Sequence, residues 1–288
     1  MSDKKEIDDI SGVETTGHEW DGIKELNNPL PRWWLWTFYG TVAWAIVYVI
    51  LFPAIPLLNG ATPGILGYSS RGELAKEVAA ADEAKAEFVT KIEATDVTEI
   101  LGDSDLTRFA VQGGKSAYKV YCSQCHGAGA EGASGYPNLN DDDWLWGGTV
   151  DEIYTTIAHG VRYEADDDTR ASEMPAFGDI LETADIRATA DFVASLSGIE
   201  HDAAHVETGK AVYEENCASC HGDSGEGIRE LGAPKLNDAL WLYGGTVDEI
   251  ATQIAKPKHG MMPAWQARLG DATVKQLAIY VHSLGGGE

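Results

Sequence analysis

Hydrophobic and polar residues divide the chain into an apolar run near the N-terminus and a longer part in which apolar residues recur at helical spacing. No charged residue occurs between Trp33 and Ser70, and Trp33–Phe52 supplies the roughly 20 predominantly apolar residues that a membrane-spanning helix needs. Because no polar stripe interrupts this run, it predicts one transmembrane helix and not the buried helix of a soluble core. The anchor is expected at 33–58, after a polar segment, 1–32, that lacks the apolar core of a signal peptide.

Beyond the anchor, the pattern is typical of helices. A linker is expected over 59–107, within which Arg71–Ile92, rich in Ala, Glu and Lys, predicts an exposed helix. Thr149 and Thr246 stand at N-cap positions, each followed three residues later by a glutamate, which predicts two capping boxes. The sequence lacks the sustained alternation of apolar and polar residues that would indicate a sheet. The sequence therefore predicts a mainly α fold.

The C-terminal two thirds of the chain contains one pattern twice, which indicates a duplicated domain. The two copies, expected at 108–200 and 201–288, should share a fold. Each copy is small for an independent core, and a bound apolar group would supply the missing centre. The matching segments are Gly114-Lys115 and Gly209-Lys210, Tyr118 and Tyr213, Trp144–Ile153 and Trp241–Ile250, Met174–Phe177 and Met262–Trp265, and Ile186–Leu196 and Val274–Leu284.

Each copy contains a C-x-x-C-H motif, which is typical of covalent haem c attachment. Two thiols three positions apart share one face of a helical turn and bond to the porphyrin, while the next residue, a histidine, ligates the iron. A structural zinc site, a thioredoxin-like pair and a disulfide are the alternatives. Zinc needs a second ligand pair at a distance, and a thioredoxin-like pair would be expected once, within a βαβ pattern. The two motifs use all four cysteines of the chain: Cys122, Cys125, Cys217 and Cys220 are the predicted attachment residues, and His126 and His221 the predicted iron ligands.

Methionine is the expected second axial ligand, because a thioether suits an electron-transfer haem and raises its reduction potential. Of the four methionines, one begins the chain and three lie in or beside two Met-Pro-Ala motifs. Met174 lies 48 residues after His126, and Met262 lies 41 residues after His221, which pairs each methionine with the histidine of its own copy. The following proline favours an extended backbone that helps to aim the side chain. The rival ligands are Met261, His159 and His259.

The chain is strongly acidic, with a formal net charge of −25. The excess is not confined to a tail, because positions 71–288 carry 17 basic against 38 acidic residues. Such a field disfavours nucleic acid and anionic lipid and would steer a basic protein towards the surface. The simpler interpretation is that the charge only keeps the domain soluble.

The segment before the predicted anchor carries the most specific resemblance. His18–Trp34, with the sequence HEWDGIKELNNPLPRWW, resembles the pre-membrane signature of the dihaem subunit, subunit III, of cbb3-type cytochrome c oxidases. The tandem C-x-x-C-H units behind one membrane anchor are similar to the same family. The resemblance extends from about His18 to the C-terminus. Some members of that family have two membrane spans, whereas this sequence predicts one.

The resemblance implies an electron relay in the bacterial inner membrane. By this likeness the N-terminus is cytoplasmic and two tandem cytochrome c domains, with two covalently bound haem c groups, are periplasmic. A soluble or membrane-bound cytochrome c would donate electrons, which would pass to the monohaem subunit and the haem-copper catalytic subunit. The chain itself is expected to do no oxygen chemistry, because it has neither an intramembrane histidine nor a spare cysteine for a copper centre.

Other classes of function remain as alternatives. A dihaem peroxidase would need one iron with an open or bis-histidine site, which the paired Met-Pro-Ala motifs disfavour. A haem sensor of CO or NO would bind CO readily when reduced. An electron shuttle for another reductase or dehydrogenase is the closest alternative, and the pre-membrane signature argues against it.

Overall fold

The computed structural model describes residues 6–288. The chain forms two compact units, one up to Glu83 and the other from Ala84 to Glu288. Within the described residues the structure is dominated by helices, and its strands occur only as two short antiparallel hairpins. The prediction of a mainly α fold is therefore confirmed.

A β-hairpin precedes the apolar helix, and the sequence pattern did not predict it. Strand β1 (Thr15–Trp20) pairs with β2 (Ile23–Leu26) through a two-residue turn. Asp21 and Gly22 both have positive φ, 49° and 85°, as a tight hairpin turn of this type requires. The Asp-Gly pair was the available sequence signal for this turn.

The apolar run forms helix α1, Arg32–Leu51, of 20 residues. In the part of the chain that is described, it is the one helix long and apolar enough to cross a membrane, with a mean hydropathy of 1.6. The helix ends at Leu51, before the expected limit of the anchor at 58. The Phe52 N–H caps it by donating to the Tyr48 carbonyl, and Pro53 follows directly, which disfavours helical backbone at Phe52. A short hairpin follows, made of β3 (Pro56–Leu57) and β4 (Gly60–Ala61).

The predicted linker helix is confirmed as α2, Ser70–Ala94, whose side chains are exposed along most of its length. Its C-terminal end is held by the buried Lys275. The Lys275 Nζ donates to the carbonyl oxygens of Ile92, Glu93 and Thr95 at 3.2, 3.0 and 2.9 Å. A cation at a helix C-terminus satisfies carbonyls that have no partner within the helix and complements the helix dipole.

The two sequence copies build two helical cores. Both predicted capping boxes are present, with the Thr149 and Thr246 side chains accepting from the backbone of Glu152 and Glu249. The helices are α3 (Val97–Ile100), α4 (Ser104–Tyr121), α5 (Ser123–His126), α6 (Val150–His159), α7 (Thr183–Leu196), α8 (Val206–Asn216), α9 (Ala218–His221), α10 (Val247–Ala255), α11 (Gln266–Leu269) and α12 (Asp271–His282).

The last helix of each copy packs against the other copy. Helix α12 packs on α4 and α6, whereas α7 packs on α8 and α10. Aromatic contacts follow the same exchange: the Tyr280 ring lies 5.5 Å from Tyr118, and the Phe192 ring lies 5.1 Å from Tyr213. The sequence boundary at 200 therefore separates the repeats in the chain, but each core contains helices from both.

The exchange gives two separate buried clusters. We call core 1 the cluster built on α4, α6 and α12, which includes Tyr118, Ile153 and Leu277. Core 2 is the cluster built on α7, α8 and α10, which includes Phe192 and Tyr213.

Two glycines at matching positions allow these helices to approach closely. A Cβ on Gly114 would lie 2.1 Å from the Gln276 carbonyl oxygen, and one on Gly209 would lie 1.9 Å from the Ala188 carbonyl oxygen. Neither contact can be relieved by a side-chain rotation, because the obstacle is backbone. The glycines of the Gly-Lys repeats are therefore packing positions of α4 and α8.

Candidate haem sites

The two C-x-x-C-H motifs have the same local geometry. In each, the first cysteine ends a long helix, and the remaining motif residues form the single turns α5 and α9. The N–H groups of Cys125 and His126 donate to the Cys122 carbonyl at 3.1 and 3.0 Å, and Cys220 and His221 donate to the Cys217 carbonyl at the same two distances. Both thiols and the histidine of each motif are thus brought together on one turn.

The four thiols lie in the described part of the chain, and none is joined in a disulfide. Cys217 is buried and Cys122 is half-buried, whereas Cys125 and Cys220 are exposed. Burial raises the pKa of the Cys122 and Cys217 thiols to about 11. A disulfide-exchange pair needs a lowered thiol pKa, so these environments disfavour the thioredoxin-like alternative.

Each motif histidine is oriented by a backbone carbonyl. The Nδ1 of His126 lies 3.0 Å from the Pro137 carbonyl oxygen, and the Nδ1 of His221 lies 3.0 Å from that of Pro234. Because a carbonyl can only accept, Nδ1 must carry the proton, which leaves the Nε2 lone pair for a metal. Burial also lowers the pKa of both histidines and so favours the neutral ring. This arrangement suits an iron ligand.

The aromatic residue shared by both copies supports the histidine from the side of the preceding helix. Tyr118 and Tyr213 are fully buried. Their hydroxyls donate to the carbonyls of Gly127 and Gly222, the residues directly after the motif histidines, at 2.9 and 2.7 Å. The sequence identified these tyrosines as repeated positions but not as supports of the motif.

The methionines are exchanged between the copies. Met262 packs against core 1, which Cys122 also contacts, and Met174 packs against core 2, which contains Cys217. The spacing along the chain predicts that each methionine pairs with the histidine of its own copy, whereas in the structure each methionine packs against the core that the cysteine of the other copy contacts. The physical reason is the exchange of α7 and α12, because each methionine lies nine positions before the start of one of these helices.

The rival histidines have other partners. His159 Nδ1 lies 3.1 Å from the Asp166 carboxylate, and its ligand atom is within 4.8 Å of those of Asp166 and Asp168. His259 is exposed, and its Nε2 lies 3.1 Å from the Met174 carbonyl oxygen. Met261 is also exposed, at 61%. These contacts favour Met174 and Met262 over their rivals.

The repeated tryptophans give an independent indication of a bound polar group. Trp144 Nε1 donates to the Gly286 carbonyl oxygen at 2.5 Å. Its counterpart Trp241 Nε1 is buried and has no hydrogen-bond partner among the described residues. Because an unpaired buried donor is costly, an acceptor is expected there. Trp241 packs against core 2, where the carboxylates of a haem would provide acceptors, so the residues present fit the cofactor.

Comparison with known families agrees with these features. The family described as cytochrome c oxidase, cbb3-type, subunit III, matches residues 109–193 and 204–281. The chain belongs to this family. The family described as the N-terminal domain of cytochrome oxidase-cbb3, FixP, matches residues 12–59, which include the pre-membrane signature.

Relatives in this family are similar along their full length. The chain is 57% identical to the cbb3-type cytochrome c oxidase subunit FixP of Rhizobium meliloti, over 100% of both chains. It is 51% identical to the subunit CcoP of Azospirillum sp. over 98% of both chains, and 49% identical to the CcoP of Cereibacter sphaeroides over 95% of both.

The family membership confirms the predicted architecture and function at a general level. The fold is an N-terminal candidate transmembrane helix followed by tandem cytochrome c domains that bind haem c. The chain is an electron-transfer subunit of a cbb3-type oxidase. Helix α1 and the membrane-oxidase relatives fit a single-pass protein of the bacterial inner membrane.

Proposed function

We propose that the chain carries two covalently bound haem c groups and relays electrons through them. Cys122 and Cys125 would form thioether bonds to one haem, and Cys217 and Cys220 to the other. When bound, each haem supplies one-electron exchange between ferric and ferrous iron. The observation that carries the proposal is the repeated turn, in which each pair of thiols adjoins a histidine whose Nδ1 is already committed to a carbonyl.

We infer that the axial ligands are crossed between the copies. His126 would share its iron with Met262, and His221 would share its iron with Met174. The support is that Met262 and Cys122 contact core 1, whereas Met174 and Cys217 belong to core 2. If one histidine and one methionine of the chain bind each iron, no coordination position would stay open to peroxide or CO, which favours electron transfer over the peroxidase and gas-sensor alternatives.

Single-haem variants test the attachment and the crossing together. Cys125→Ala and Cys220→Ala should each leave one haem per chain, as measured by haem stain and the pyridine haemochrome spectrum. Met262→Ala is then expected to abolish the methionine-to-iron charge-transfer absorption in the Cys220→Ala chain and to spare it in the Cys125→Ala chain. The reverse result would indicate ligation within each copy. Retention of both haems in a denaturing gel after both cysteines of one motif are replaced by alanine would refute covalent attachment.

The proposed route runs from a soluble or membrane-bound cytochrome c to this subunit and then to the monohaem and haem-copper catalytic subunits. The acidic surface, within a net charge of −25, supports a basic donor. Since exposed charges are screened within roughly 10 Å at 0.1 M salt, turnover of the purified oxidase with a basic cytochrome c should fall steeply as salt rises. A flat salt response would remove electrostatic docking from the proposal.

The proposed topology places the N-terminus in the cytoplasm and the haem domains in the periplasm. Its support is that haem c is attached outside the inner membrane in the family that the chain resembles. Protease added to intact spheroplasts should remove the haem-staining domain and leave an N-terminal tag intact. Co-purification in mild detergent should recover the monohaem and haem-copper subunits, and their absence would favour a shuttle for another enzyme.

A further inference from the structure

The segment before Met174 differs between the copies in length and in backbone conformation. From Trp144 to Met174 the first copy spans 30 positions, whereas the second spans 21 from Trp241 to Met262. The additional length of the first copy includes Arg162, which has a positive φ of 52°. A non-glycine residue rarely adopts this conformation unless the surrounding structure enforces it, and such residues concentrate at functional sites.

The Arg162 guanidinium contacts both methionine segments. Its Nε donates to the Gly260 carbonyl oxygen at 2.7 Å, and its Nη1 donates to the Ser172 carbonyl oxygen at 2.9 Å. Each acceptor lies two residues before a proposed ligand, Met262 or Met174. One planar, rigid group therefore spans the two segments.

Neighbouring hydrogen bonds tie the Arg162 loop to the Met262 segment and the Met262 segment to the Met174 segment. Val161, directly before Arg162, exchanges two backbone hydrogen bonds with Met262, both 2.9 Å. His259 Nε2 lies 3.1 Å from the Met174 carbonyl oxygen. Because a methionine side chain has three flexible torsions, the position of its sulfur depends on how firmly the backbone beneath it is held.

We propose that Arg162 is a positioning residue for both methionine ligands, so that one side chain of the first copy controls the axial coordination of both haems. The inference rests on the proposed ligation by Met174 and Met262. Loss of the guanidinium would leave the Gly260 and Ser172 carbonyls without this donor and loosen both segments together. Since methionine coordination raises the reduction potential, both potentials should fall in concert.

The matched control is Arg170, a second half-buried arginine of the same loop. Its side chain donates to Thr156 Oγ1 at 2.9 Å and to the Glu152 carbonyl at 3.3 Å, and stacks on Trp146. None of these described contacts involves a methionine segment. Arg170→Gln therefore removes a comparable charge from the same loop and leaves the Arg162 hydrogen bonds to Gly260 and Ser172 in place.

The test compares Arg162→Gln, Arg162→Lys and Arg170→Gln in the full-length, haem-loaded chain and in the two single-haem backgrounds. The readouts are the charge-transfer absorption, CO binding by the reduced protein and the one-electron potential of each haem. Arg162→Gln should weaken the absorption, increase CO binding and lower the potential at both haems, whereas Arg170→Gln should match the wild type. If methionine binds reduced iron tenfold less tightly while its binding to oxidised iron is unchanged, the reduction potential falls by about 59 mV.

The outcomes separate this inference from the proposed function. If Met174→Ala and Met262→Ala each abolish the absorption of one haem while Arg162→Gln changes neither or only one, the positioning role is wrong and methionine ligation stands. If the methionine variants leave the absorption unchanged, the ligation itself is wrong. Should Arg162→Gln not accumulate with haem, Arg162→Lys decides: its single ammonium cannot reproduce the planar fork, and wild-type spectra and potentials at both haems would overturn the proposal.

Discussion

The exchange of α7 and α12 predicts that a core substitution in one copy will affect the haem of the other. Val281 on α12 and Val193 on α7 occupy equivalent positions, with exposures of 4% and 3%. Val281 lies in core 1 and Val193 in core 2. Val281→Ala should therefore weaken the site that contains His126, and Val193→Ala the site that contains His221.

The expected magnitude follows from the burial. Val→Ala removes two buried methyl groups, worth about 0.8 kcal/mol each, and the residual cavity brings the loss to about 2 kcal/mol. A loss of 1.4 kcal/mol is a factor of ten in an equilibrium constant, so the ratio of chains with intact packing to unfolded chains should fall by more than tenfold at a fixed denaturant concentration.

The assay uses chains that hold one haem. Guanidinium titration is followed by the methionine-to-iron absorption in the Cys220→Ala chain, which reports the first site, and in the Cys125→Ala chain, which reports the second. Val281→Ala should shift the midpoint more in the first chain than in the second, and Val193→Ala more in the second than in the first. The opposite assignment would refute the helix exchange, and equal shifts in both chains would refute the separation of the two cores.

Three further predictions follow from particular contacts. Lys275→Met should leave three carbonyls at the end of α2 without their donor and cost about 2 kcal/mol, with faster hydrogen exchange localised to that helix end. Ending the chain after Gly260 should remove methionine coordination from the first haem and spare the second, which spectra of the single-haem chains would show. Burial opposes ionisation of Asp191, but a backbone N–H and His205 outweigh it and hold the Asp191 pKa below its ordinary 3.8. The stability that ionised Asp191 contributes should therefore be full above pH 3.8 and be lost as the pH falls through the lower pKa of the folded state. In an acid titration followed by circular dichroism, Asp191→Asn should remove this pH dependence of stability.

Local patterns were sufficient to predict the apolar helix, the linker helix and the two capping boxes. Helix α1, the linker helix and both capping boxes follow from uncharged length, composition and the spacing of threonine and glutamate. The hairpin at Asp21-Gly22 was missed because it is a two-residue turn within a short polar segment, without the extended alternation that indicates a larger sheet.

The partners of the last helices could not be predicted from the sequence. Hydrophobic periodicity identifies the buried face of a helix but not the surface that it faces. After a duplication, the faces of α7 and α12 are nearly interchangeable: Phe192 and Tyr280 are equivalent, and either ring could pack on Tyr118 or Tyr213. Exchanging two equivalent helices changes the folding free energy little when both make the same types of contact, as in domain swapping.

The exchange explains why the two cytochrome units occur as one compact body. Each core takes from the other copy a helix and a methionine segment, so neither sequence repeat contains all the elements of one core. The last residues of the chain add contacts to the first copy. The Gly286 carbonyl accepts from Trp144, and the Glu288 N–H donates to the Gly148 carbonyl. The Glu288 carboxylate also pairs with Arg229 of the second copy. Packing both cores into one compact unit would hold the two proposed redox centres in one body, and the exposed Cys125 and Cys220 lie on its surface.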